Sequence, residues 1–83
     1  MTRKQIIKSL QEKGVNVVGI TEEFNGAIGG VWISAEGTEQ WFNYHSERWY
    51  DTFGVNPKLH NFVEINGWYF EWHDAGTIML WEG

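Results

Sequence analysis

Residues 67–81 constrain the fold more than any other stretch. They read Gly-Trp-Tyr-Phe-Glu-Trp-His-Asp-Ala-Gly-Thr-Ile-Met-Leu-Trp, two aromatic-rich runs on either side of an Asp-Ala-Gly turn. Side chains alternate faces along an extended chain, so Trp68, Phe70 and Trp72 share one side and Tyr69, Glu71 and His73 the other. The spacing predicts a β-hairpin. A three-residue loop, Asp74-Ala75-Gly76, suits a type I turn followed by a left-handed glycine and pairs Trp72 with Ile78 and Phe70 with Leu80. Trp68, Phe70, Trp72, Ile78 and Leu80 are then the expected core, and Tyr69, Glu71, His73, Met79 and Trp81 form a mixed aromatic and polar face. If Ala75-Gly76 by itself made the turn, Met79 and Trp81 would move inward.

The rest of the chain supplies the layers that hairpin needs. Thr2 and Gln5 match a capping box, and Ile6, Ile7 and Leu10 recur at helical spacing up to Gly14, which predicts a helix over residues 3–13. Asn25-Gly26 lies between two strand-like runs, 15–24 and 27–35, and is a strong signal for a two-residue hairpin turn because both positions need positive φ. Counting outward from it sets Ile20 opposite Val31 and Val18 opposite Ile33. Gly29-Gly30 marks a bend, a bulge or a close approach to the backbone. Glu36-Gly37 is read as a turn into a third strand, about 38–45, that would pair Trp32 with Trp41. Ser46 is placed to cap a short helical segment from Glu47 to Phe53. Asn56-Pro57 opens a clearer helix with Leu59, Phe62 and Val63 on one face and Gly67 past its end.

The expected fold is therefore α+β in one domain, 1–83: an N-terminal helix, a three-stranded antiparallel meander, one or two short helices and a C-terminal β-hairpin, the strands joined in one antiparallel sheet. The alternative is a strongly bent sheet closed into a small Sm-like or SH3-like barrel, an analogy of element order. With 83 residues and no cysteine, stability has to come from aromatic and aliphatic packing rather than disulfides or a zinc–thiolate site. No apolar run is long enough for a transmembrane helix and no signal peptide is evident, so the sequence reads as cytoplasmic.

Charge narrows the function classes. The formal charge is -5, and Arg3, Lys4, Lys8 and Lys13 against Glu12 leave residues 14–83 with about -8. An acidic body argues against a phosphate-tracking surface, so nucleic acid is not an expected partner. His45 with Glu47, His60 with Glu64, and His73 with Glu71 and Asp74 invite a metal reading, but none forms a recognised ligand motif, and no metal or cofactor is expected. No phosphate loop or nucleophile elbow is present, and no motif fixes a reaction.

The aromatic content says more. There are six Trp, five Phe and three Tyr, whereas a domain this small hides roughly eight to ten rings. The registers leave Trp32, Trp41, Tyr69 and Trp81 on the mixed face beside Glu71 and His73, and these six are the candidate binding residues. A second minicore or a homodimer seam would use the same rings. The expected function is a small non-enzymatic protein-interaction domain whose aromatic, acidic sheet face contacts a second copy of itself or a basic partner. A viral or mobile-element accessory protein would suit this composition. The competing class is a small-molecule binder or minor enzyme using Tyr69, Glu71 and His73 with His45.

Overall fold

A computed structural model describes residues 1–45 and 48–83. Helix α1 (Arg3–Glu12) starts at the expected capping box: Thr2 accepts from the Gln5 N–H, and the Gln5 side chain accepts from the Thr2 N–H. Its apolar stripe buries Ile6 and Leu10. Strand β1 (Val17–Ile20), the four-residue helix α2 (Thr21–Phe24) and strand β2 (Val31–Ser34) follow. A 3-10 turn (Tyr50–Thr52) precedes helix α3 (Pro57–Ile65), where Asn56 caps through its side chain to the Lys58 N–H and Pro57 occupies the first turn. Strands β3 (Trp68–Asp74) and β4 (Thr77–Glu82) form the C-terminal hairpin.

The fold is α+β, with the four strands in one open antiparallel sheet of order β1-β2-β4-β3. The sheet does not close into the barrel alternative. The hairpin register is as expected, Phe70 against Leu80 and Trp72 against Ile78, although the loop is not. Asp74 pairs with Thr77, so Ala75-Gly76 makes a two-residue turn, and an irregularity between Trp72 and Asp74 absorbs the extra residue. That bulge restores the alternation which the tighter turn would have reversed.

Two other expectations are corrected. Ile20 does face Val31, but no two-residue hairpin forms at Asn25-Gly26, because Thr21–Phe24 winds into α2. A shift between Val17 and Gly19 also sets Val17, not Val18, opposite Ile33. The third meander strand is absent among the described residues. Instead the Thr38 carbonyl accepts the N–H groups of Trp41 and Phe42, curling the chain, and an isolated bridge joins Phe42 to Val55. The place beside β2 belongs to β4, whose consecutive buried Ile78, Met79 and Leu80 suit a strand covered on both faces. The segment expected to be helical from Glu47 to Phe53 is a single 3-10 turn at Tyr50–Thr52, and Ser46 and Glu47 lie outside the described residues.

One face of the sheet carries the main core. Val31, Ile33, Ile78, Leu80 and Trp68 meet Ile6 and Leu10 of α1, Leu59 and Val63 of α3, and Phe42 and Val55. Phe70 and Trp72 pack half-buried at its margin. No helix among the described residues is long and apolar enough to cross a membrane.

Candidate functional site

On the opposite face, Trp32, Met79 and Glu71 lie side by side across β2, β4 and β3. This face is not a bare platform. Helix α2 lies against it, with the Phe24 ring 4.9 Å from Trp32 and 4.9 Å from His73, an edge-on contact in the second case. Phe24 thus reaches over β4 from one neighbouring strand to the other. Met79 beneath is only 3% exposed. The Trp81 indole lies over Gly30, where an added Cβ would come within 2.6 Å of the ring, and its Nε1 donates to Glu71 at 3.2 Å. Of the glycine pair, Gly30 therefore permits a close approach, while a Cβ at Gly29 would meet open space.

What holds α2 in place is electrostatic as well as apolar. One terminal nitrogen of the Arg3 guanidinium donates to both carboxylate oxygens of Glu22, at 2.7 and 2.9 Å, and Gly29 N–H donates to the same group at 3.1 Å. These donors, Arg3 first, hold the Glu22 carboxyl down to about 2. The buried Thr21 hydroxyl accepts from Gly30 N–H at 2.9 Å. The N-terminal helix, α2 and the loop before β2 are joined through these few side chains.

The six sequence-derived candidates consequently separate. Trp32 and Trp81 are half-buried in the minicore around Met79. Tyr69, Glu71 and His73 remain exposed on the β3 side of that face. Trp41 is elsewhere, and the expected Trp32–Trp41 pair does not form. With no third strand to carry it, Trp41 packs against the main core on the helix side and donates its Nε1 to the Lys13 carbonyl at the end of α1. His45 contacts Tyr44, whereas His73 contacts Phe24. Tyr69, Glu71, His73 and His45 do not converge. His60 and Glu64 do meet at the expected helical spacing, 3.0 Å apart, but no group of three metal-competent side chains exists among the described residues.

The most exposed rings lie off the mixed sheet face. Tyr44, Tyr50 and Phe53, exposed by 49%, 81% and 79%, surround the half-buried Trp72 at the end of β3. With Asp51 and Gly54 they line an open groove of about 560 Å³. The Tyr44 and Trp72 rings meet edge-on at 5.0 Å, and the Trp72 Nε1 donates to the Phe53 carbonyl at 2.5 Å. Phe53 has φ 52, a left-handed backbone unusual for an aromatic residue. Gly54 follows at φ 84, and an added Cβ there would strike the Asn43 carbonyl oxygen at 2.6 Å. The chain is locked at this corner with the Phe53 ring turned to solvent. No local pattern signalled this, because a phenylalanine-glycine pair points to a positive φ at the glycine and not at the residue before it.

A second, smaller cavity of about 240 Å³ adjoins β3 and is lined by Thr52, Phe53, Val55, His60, Glu64, Tyr69, Phe70 and Trp72. Among the described residues, neither hollow has a lysine or arginine in its lining. The chain matches no protein-family model, no curated protein and no solved structure.

Proposed function

We propose that this chain is a small non-enzymatic protein-interaction domain that docks a partner against the aromatic, acidic surface at β3 and the adjoining Tyr44, Tyr50 and Phe53. The observation that carries the reading is the cluster of Tyr44, Tyr50 and Phe53 held in solvent around Trp72. Exposed large rings clustered in a concavity are the usual anchors of protein recognition, since they offer much apolar area at little cost in side-chain entropy. The left-handed Phe53 strengthens the argument. Its backbone closes the Tyr50–Thr52 turn and accepts the Trp72 indole N–H, while the ring itself is left in solvent. Asp51 beside the rings, and Glu71 on the neighbouring face, suit a partner with lysine or arginine at its rim.

The test compares the chain with a Tyr50→Ala/Phe53→Ala double variant. A protein retained by immobilised native chain should be lost from the variant, while thermal melting changes little because both side chains are mostly exposed. Equal retention by both would remove the reading. Titration with small aromatic fragments, followed by NMR, tests the small-molecule alternative: saturable shifts confined to Tyr69, Glu71 and His73 would favour it instead.

A further inference from the structure

The hydrogen-bond parity of the hairpin identifies how β3 itself can be used. Gly83 N–H donates to the Gly67 carbonyl at 2.8 Å, which makes 67 and 83 a hydrogen-bonded pair. In an antiparallel ladder such pairs alternate, so Tyr69 with Trp81 and Glu71 with Met79 bond across the hairpin, while Phe70 and Trp72 direct their N–H and C=O groups away from β4. The other side of β4 agrees with this count. Ala35 N–H donates to the Gly76 carbonyl, so Ile78 and Leu80 bond to β2, leaving Met79 and Trp81 for β3.

Strand β3 is an edge of the sheet, and among the described residues no backbone group beyond the hairpin bonds Phe70 or Trp72. At one end of the edge the Trp68 Nε1 donates to the Met1 carbonyl, and at the other the Trp72 Nε1 donates to that of Phe53. Between them the small cavity touches Tyr69 as well as Phe70 and Trp72, whose side chains point to opposite faces. A hollow that meets both faces of one strand lies alongside it, on the side β4 does not fill. The other edge of the sheet, β1, is only four residues long and is bulged at Val18.

We infer that the open edge of β3 around Phe70 is a strand-addition site for an extended, lysine- or arginine-bearing segment of a partner protein. The inference rests on the interaction-domain reading and names its docking mode. The partner's backbone would bond Phe70 and Trp72, and an apolar side chain would enter the 240 Å³ cavity against Val55 and Phe70. Charge selects the partner over a second copy of this chain. Glu64, Glu71 and Asp51 stand exposed around the edge, and residues 14–83 carry about -8, so pairing two β3 edges would bring two acidic bodies together. A basic segment meets complementary charge.

The probe is a seven-residue peptide of alternating lysine and valine, added to isotope-labelled chain and followed by NMR and amide hydrogen exchange. Binding should slow exchange of the Phe70 and Trp72 amides by about tenfold or more, with shifts at His60, Glu64 and Tyr69. The same peptide N-methylated at alternate amides should lose the protection, and the glutamate–valine analogue should bind at least about tenfold more weakly. Four results would overturn the inference: slow exchange at Phe70 and Trp72 in the free chain, equal binding of the glutamate peptide, no binding of the lysine peptide at millimolar concentration, or protection that rises with chain concentration and no peptide. Shifts confined to Tyr44, Tyr50 and Phe53 would also overturn strand addition while leaving the interaction-domain reading intact. That reading fails separately, through the double variant above.

Discussion

Two residues carry strained or charged arrangements whose consequences can be measured. Glu22 is held ionised by Arg3 and by backbone donors, which lowers its carboxyl to about 2. A lowered folded-state value means the contribution is complete above the ordinary carboxylate range and is lost as pH falls toward 2. Denaturant midpoints should therefore decline between about pH 4.5 and 2, and Glu22→Gln should make that decline shallower. An unchanged slope would mean the ion pair does not form in solution. Phe53 makes the opposite case. Its left-handed backbone costs roughly 1–2 kcal/mol that glycine does not incur, while its ring is 79% exposed and contributes little to the core. Phe53→Gly should leave thermal stability unchanged or raise it by about 1 kcal/mol, yet weaken partner retention. That combination separates a ring kept for contact from one kept for packing.

At the level of elements, α2 is the least autonomous part of the molecule. Four residues are far too few to hold a helix by their own hydrogen bonds. Its persistence depends on Arg3, on the Thr21–Gly30 bond, and on Phe24 lying against Trp32 and His73. Gly30 is the tight point of this arrangement. Placing a methyl there drives it to 2.6 Å from the Trp81 ring and 2.8 Å from Thr21 Cγ2. Gly30→Ala should cost about 1–3 kcal/mol in chemical unfolding, with a changed near-ultraviolet dichroism signal from the displaced indole. A variant as stable as the native chain would show that Trp81 does not rest on this backbone.

For the molecule as a whole, the sheet has two apolar layers rather than one core and one wet face. Ile78 belongs to the layer shared with α1 and α3, and Met79, its neighbour on β4, to the layer roofed by α2. Ile78→Ala and Met79→Ala should therefore both be costly, each about 2–5 kcal/mol by urea unfolding. A one-faced sheet predicts a small effect for the second. Two layers also explain where much of the aromatic surplus goes: Trp32, Trp81 and Phe24 are occupied on the far face, which leaves Tyr44, Tyr50 and Phe53 as the rings most open to contact.

Much of this could be read from local pattern. The capping box at Thr2, the Asn56-Pro57 start of α3 and the pairing of Phe70 with Leu80 depend on residues close together in the chain, where caps, proline geometry and alternation act directly. The third strand failed because aromatic residues favour a strand only if a partner is available. The apolar run of β4 took the place beside β2, and Phe42 turned into the core instead. The Asn25-Gly26 hairpin failed because Arg3, distant in sequence, pins Glu22 and winds the residues before the turn. Tyr44, expected to point inward from the third strand, and Tyr50 and Phe53, expected in a short helical segment, are exposed for a related reason, since no period along the chain marks which rings of an irregular segment face solvent. The existence of the C-terminal hairpin and the alternation along each of its strands were thus determined by sequence alone, whereas the bulge between Trp72 and Asp74 set how the two strands' faces match. Which strand lies beside β2, which face α2 covers and which edge of β3 stays open were decided only by tertiary structure, because each depends on contacts between segments whose sequences carry no record of one another.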